Sequence, residues 1–380
     1  MMSRIILLTF ALMVSGLVVH AQDDEPVGWQ IEERCLADPI APPEDWSYPG
    51  VILMSGYAGI HGMRSEWETP HVVAFKRGDN RGNIEIIGGQ LSPDGRWYAA
   101  PLGERFVEIS NNVYWFARQL RLYHTTDDQK VIDIDLSDYI REFAQGRTLG
   151  AWSYWQVQWF DNDSLTFYGI TFHIQGDTIT AETSPVALAS IFTDRIYAPD
   201  VTRQFGTVYV NGESMNALSE ITFFDDEPAS VVNLNGVNNV TWRRDSSGFV
   251  ALVQNGNQRG LYYYDRDGEL IDRIVELTDT RIIFPQRQDG ENGSLWSPSG
   301  DYFALLSDGL YIVDWNNQIV IDACLSVTDT PAWSPDGTML AFLMDARESN
   351  KIIVLDMKTW QAYHVGWQID GGVIGWRAGD

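Results

Sequence analysis

Few residue sets in this chain have the types and spacing to do chemistry, and each sits in a turn or strand context. "GESMN" at residues 212–216 comes nearest to the G-x-S-x-G elbow that exposes a nucleophilic serine. Asn216 stands where the closing glycine belongs, so the stretch reads as a strand hairpin. "DRDGELIDRIVE" at 265–276 puts acids at the first, third, fifth and twelfth places of a calcium loop. The sixth place, where the loop must turn sharply on glycine, is Leu270, and the glycine falls at the fourth, Gly268. A hairpin between two strands accounts for the same letters. "WFDNDS" at 159–164 likewise reads as a turn rather than a metal site. Hydrolytic zinc sites and Ser/His/Asp triads both draw on histidine. Beyond the leader the histidines are His61, His71, His124, His173 and His364. His61 and His71 are near in sequence and read as ordinary strand and loop residues. No H-E-x-x-H, C-x-x-C, G-x-G-x-x-G or P-loop lysine pattern occurs. No catalytic residue, metal ligand or cofactor is therefore expected.

A binding surface is easier to nominate. "YWFARQLRLYH" at 114–124 alternates in part and places Arg118 with Trp115, Phe116 and Tyr123, with Arg121 in the same run. Arginine and aromatic rings are typical binding hot spots. Trp115, Arg118 and Arg121 are the candidate partner-binding residues. The plainer reading is a long strand with exposed arginines.

The elements that carry these residues recur along the chain. "PAWSPDGTMLAFLMD" at 331–345 joins an aromatic residue, a tight turn and an apolar run. "LWSPSGDYFALL" at 295–306 and "QLSPDGRWYAAPL" at 90–102 repeat it, and "TWRRDSSGFVALV", "QWFDNDSLTFYG" and "IYAPDVTRQFGTVYV" are weaker copies. The aligned anchors are Leu91, Trp159, Tyr197, Trp242, Trp296, Trp333 and Trp376. Recurrence at about 40 residues, with two longer intervals, marks a β-propeller. In Ser-Pro-Asp-Gly, proline presets φ, aspartate bonds the local backbone and glycine takes the last corner. The apolar run that follows suits a strand buried on both faces between neighbouring blades, and the anchor ring should fill the seam.

The expected fold is all-β: a propeller of seven blades of four antiparallel strands, or six if Tyr197 is not an anchor. The strand-like runs "GVILMSG", "PHVVAF" and "NIEIIGG" lack an inner strand of their own. The chain's last residues supply one, so both ends should complete a single closing blade and hide its edge. The long interval after Leu91 also holds helical spacing in "DLSDYIREFAQG" at 135–146, and the one before Trp296 an extra loop, "DTRIIFPQRQDGENGS".

Composition narrows the function classes. Apolar content of 44% is ordinary, whereas 15 tryptophans are many and suit sheet surfaces. The formal charge is −26, from 26 basic and 52 acidic residues. Such a field repels phosphate backbones and excludes nucleic acid as a partner. The acids are scattered, as on a solvated surface. Residues 1–21 have one early charge, Arg4, then an apolar run and "VHA", which is the layout of a signal peptide cut after Ala21. No further segment is apolar enough to span a bilayer. An exported chain with two cysteines, Cys35 and Cys324, is expected to join them in a disulfide, and the acid- and Pro-rich residues 22–47 read as an extended lead-in pinned at Cys35. In the proposed ring these cysteines would lie in neighbouring blades.

The Trp-turn-strand units at 333–344, 296–306 and 91–102 resemble the TolB-type (WD-repeat-like) propeller repeats of exported bacterial proteins. The resemblance spans residues 48–380, which it marks as the propeller domain, and it implies fold rather than activity. TolB carries an α/β domain ahead of its propeller for which this chain has no room, so its envelope role is not carried over. The resulting expectation is a monomeric, periplasmic or extracellular binding or scaffold module for an envelope protein or glycan. The alternative is a hydrolase or lyase using carboxylates at the channel mouth.

Overall fold

The repeated letters act locally before any packing is considered. In the Ser-Pro-Asp-Gly turns the buried serine hydroxyl is the organiser. Ser334 Oγ donates to Asp336 Oδ1 at 2.6 Å and accepts from the Met339 amide at 2.9 Å. Ser92 does the same with Asp94 and the Trp97 amide, at 2.7 and 3.0 Å. Gly95, Gly300 and Gly337 close these turns at φ of 71°, 77° and 72°, where a side chain is strained. In the weaker copy, Ser246 holds the glycine place at φ 57°.

The computed structural model describes residues 29–56, 59–67, 69–74, 85–86, 89–109, 112–127, 130–137, 157–167, 170–183, 194–198, 200, 202–209, 217–223, 230–234, 236–255, 258–277, 296–306, 309–327, 331–344, 351–367 and 372–379. Every element there is a β-strand, and among the described residues no helix is long and apolar enough to cross a membrane. The leader at 1–21, nearly all of the helical stretch, the "GESMN" hairpin and the extra loop before Trp296 lie outside the described residues.

The strands fall into seven sheets among the described residues, and each anchor heads one of them. The Trp333 sheet is typical: Ala332–Trp333, Met339–Met344, Lys351–Asp356 and Gln361–Trp367 pair in chain order, all antiparallel. Its second and third strands are buried along their whole middles, as both-face packing requires. The Trp159, Tyr197 and Trp242 sheets repeat this order. In the Trp296 sheet the inner strand shrinks to one bridge between Trp296 and Phe303.

Apolar clusters join successive sheets. Trp242 packs with Phe205 and Ile221, Trp296 with Val250 and Leu261, and Trp333 with Ala304 and Ile312. Trp376 and Ile52 meet Ala341 and Val354, Leu91 and Tyr98 meet Val51 and Leu53, and Trp159 and Phe167 meet Leu120 and Leu122. The anchor rings fill these seams. The side chain of Tyr197 is outside the described residues.

Both chain ends build one sheet. Val373–Arg377 pairs antiparallel with Val51–Gly56, followed by Gly59–Met63 and His71–Ala74. The "NIEIIGG" run departs from expectation. Its Glu85–Ile86 pairs with Gly103 and Leu102 in the Leu91 sheet, and the closing sheet takes Gly59–Met63 instead. The shorter hairpin 56–59 wins because it places its strand beside Val51–Gly56 at once, with no long connection to order.

The lead-in is extended and crosses the outer edges of several sheets. Trp29 Nε1 donates to Asp272 of the Trp242 sheet at 2.8 Å. Gln30–Glu33 then lies parallel to Ile319–Asp322 as an added strand of the Trp296 sheet. Ile40 bridges Tyr363 in the Trp333 sheet, and Tyr48 meets Trp376 edge to face at 5.5 Å. Cys35 and Cys324 are disulfide-bonded with Cα atoms 4.7 Å apart. They follow adjacent strands of one sheet rather than lying in neighbouring ones, because the lead-in docks as a strand and brings Cys35 beside the end of its partner.

Candidate functional site

The nominated binding residues lie on a hairpin unlike any other among the described residues. Trp97–Ile109 and Asn112–His124 are 13 residues each, whereas the other described strands reach at most 8. At about 3.3 Å per residue the excess is roughly 15 Å of ribbon. The third strand, Val131–Asp135, pairs only with Gln119 to Tyr123, and Glu85–Ile86 reaches only Gly103. Beyond that point the ribbon has two strands among the described residues, with Glu104, Arg105 and Phe106 opposite Phe116, Trp115 and Tyr114. Its letters, "RFVEI" and "NVYWFA", are the aromatic and β-branched types that favour pairing.

The three residues have different settings. Trp115 is on the two-stranded part. Arg118 is the bulged residue: Leu102 pairs with Gln119 and Gly103 with Ala117, leaving Arg118 without a ladder partner. Bulges bend a strand and re-aim a side chain, and this one stands where the ribbon leaves the sheet. Arg121 is inside the sheet, where its Nη2 donates to Asp133 Oδ2 at 2.8 Å across the strand pair. The Asp133 bond holds its guanidinium pKa above the usual range.

A second cluster was not nominated from the sequence. At the seam between the Trp242 and Trp296 sheets, Arg243 lies 5.1 Å from the Trp296 ring and 4.9 Å from the Trp315 ring. Trp29 and Tyr263 complete an aromatic nest, 5.4 and 4.7 Å from Trp315. Arg243 and Arg377 both directly follow an anchor Trp, at the place serine holds in the well-formed copies. "WR" for "WS" was the available signal. The next residue, Arg244, reaches Trp296 O at 3.4 Å.

Polar groups elsewhere have local duties. Ser164, His173 and Glu182 form a ladder over three strands, with Oγ to Nδ1 at 3.1 Å and Nε2 to Oε1 at 3.4 Å. It has the order of a nucleophile relay, yet Glu182 is 70% exposed and solvent screens its charge. His61 is buried in the strand next to His71, whose ring lies 4.6 Å from Trp67. Asp265 accepts from the Asp267 and Glu269 amides, so it tightens a hairpin with Gly268 at φ 84°. Glu33 approaches Cys35 and Cys324, but both sulfurs are committed to the disulfide.

No family model and no curated protein matches the chain. Among solved structures it is similar to TolB from Acinetobacter baumannii, at 14% identity and TM-score 0.40 over 88% of this chain and 67% of that one. A puromycin-hydrolyzing peptidase of Mycobacterium tuberculosis is similar at 13% and 0.41, over 88% of this chain; the chain spans 45% of that protein's length. A quinonprotein alcohol dehydrogenase-like protein of Bacteroides thetaiotaomicron is similar at 10% and 0.49, over 86% and 77%. The chain is similar to TolB-type propellers without being TolB. The fold reading rests on its strand pairings rather than on these likenesses.

Proposed function

We propose that the chain is a non-catalytic binding or scaffold module, a seven-bladed propeller whose protruding ribbon docks a partner. The ribbon carries this reading. A two-stranded ribbon is marginal in water on its own, and among the described residues no further strand lies along its edges, where backbone groups would be left for a partner. A protein partner that adds a strand would satisfy both, which favours a protein over a glycan. Trp115 brings a ring and Arg118, at the bulge, a cation; Arg121 is reserved for Asp133.

Seven sheets with seven anchors, six seams described and an end-to-end sheet support a closed ring. The seventh seam, between the Trp159 and Tyr197 sheets, closes it. The signal-like leader and the disulfide support export to the periplasm or beyond. Among the described carboxylates the resolved shifts run downward, at Asp245, Asp301 and Asp336.

The experiment is capture from native envelope and medium with the mature protein. A variant with residues 104–117 replaced by Asn-Gly should keep its melting temperature and lose the captured protein. Equal capture by the trimmed form, or capture of glycan alone, overturns the ribbon as a protein-docking element.

A further inference from the structure

Charges around the Trp242 turn are matched one to one, with one exception. Arg203 holds Asp267 at 3.0 Å, Arg266 holds Asp200 at 3.2 Å, and Arg243 lies against Asp245 at 3.4 Å. Asp301 takes the amide of Asn316 at 2.9 Å. Arg244 faces no carboxylate among the described residues. Its Nη2 makes the single long contact to Trp296 O, and its Nε is shut off from solvent without an acceptor. Burial pushes its pKa down, but a guanidinium does not give up its proton in a protein. Arg244 is half-buried, and a partly desolvated cation without a carboxylate is unfavourable, since native structures tend to pair such charges.

The turn does not need a cation there. Pro93, Pro298 and Pro335 hold the same place in the well-formed copies. The backbone is nonetheless fixed on both sides. Ser246 N donates to Arg243 O at 3.0 Å, Ser247 N to Asp245 Oδ1 at 3.0 Å, and the Asp200 amide of the preceding sheet to Ser246 Oγ at 3.0 Å. The Arg243 side chain lies against the Trp296 and Trp315 rings and carries a second buried nitrogen, Nη1, without a partner.

We infer that Arg244 anchors a subsite for a ligand carboxylate, at the turn that leaves the innermost strand of the Trp242 sheet. A planar carboxylate fits the edge of a guanidinium in a two-pronged contact that a compact ammonium does not offer. The protein's net charge of −26 opposes multiply charged phosphate or sulfate more than a monoanion. The subsite is remote in sequence from the ribbon, and either can fail without the other.

The test uses the full mature protein with acetate, sulfate or phosphate, at an ionic strength held constant with chloride. The readouts are the melting temperature and the Arg244 Nε–H resonance, assigned by its loss in Arg244→Met. In chloride alone, Arg244→Met should melt higher than the parent by roughly 2 °C, because an apolar isostere removes the unpaired charge. Acetate should raise the parent's melting temperature and shift the Nε–H resonance, leave Arg244→Met unmoved, and act less on Arg244→Lys. A lower melting temperature for Arg244→Met in chloride, equal acetate responses in parent and variants, or a larger response to sulfate or phosphate overturns the assignment.

Discussion

Trp376 donates its indole N–H to the carbonyl of Pro49 at 2.6 Å, across 327 residues of chain. The same ring stands edge-on to Tyr48, and its backbone pairs with Ile52. Gly50, at φ 74°, makes room where a Cβ would strike the Arg377 carbonyl. The two ends are thus joined by ladder, ring and turn together.

Trp376→Ala should cost about 3–5 kcal/mol, as for a buried aromatic, and shift the urea midpoint sharply. Trp376→Phe, which keeps most of the ring packing but drops the bond to Pro49, should fall between, losing about 1 kcal/mol for the bond. An unchanged midpoint for Trp376→Ala would contradict the closing sheet.

Unreduced, denatured protein should show no free thiol, since Cys35 and Cys324 are joined. The pair with both cysteines changed to serine should lose stability on the order of 5 kcal/mol, the chain-entropy value for so long a loop. A thiol titration and a denaturant series measure both. Free thiols in the untreated protein would refute the link.

Arg121→Glu places a carboxylate opposite Asp133 and should destabilise by about 1 kcal/mol, the modest scale of a part-exposed pair. Asp133→Arg in the same chain should restore the loss. Arg118→Glu, at the bulge, should leave stability unchanged and weaken capture. A double-mutant cycle with no coupling between 121 and 133 would remove the ion pair from the account.

Stability should fall in two stages on acidification. Burial holds His124 and His364 below 6.5, the ordinary histidine value. Their contribution is complete above that pH and is lost as pH falls through their folded values. Burial pushes Asp336 up, but bonds from Ser334 and Thr338 outweigh it and leave it below 3.8; Asp245 follows the same pattern with Ser247 and Arg243. These groups stabilise above 3.8 and lose that contribution below it. Asp336→Asn should flatten the second stage in a pH series of melting temperatures while leaving the first intact.

What could be read from the sequence follows from range. Ser334, Asp336 and Gly337 act within one turn, so their letters alone announce it. Ser246 disguised its copy by taking a positive φ that glycine usually takes, while using its hydroxyl to hold Asp200. Gln30–Glu33 showed no strand partner because its ladder lies on Ile319–Asp322, parallel and far along the chain. Arg121 looked available since Asp133 reaches it only through strand register, and the Ser164, His173 and Glu182 ladder is likewise invisible until hairpins fold. Arg244 gave no sequence signal because its one contact, Trp296 O, belongs to the next sheet.

Gln30–Glu33 is made well before its docking edge, Ile319–Asp322. The added strand must therefore wait, unpaired, until that edge has been synthesised. The Trp296 sheet cannot be completed strictly in chain order, and Cys35 should be accessible to oxidising enzymes until Cys324 is in place beside it.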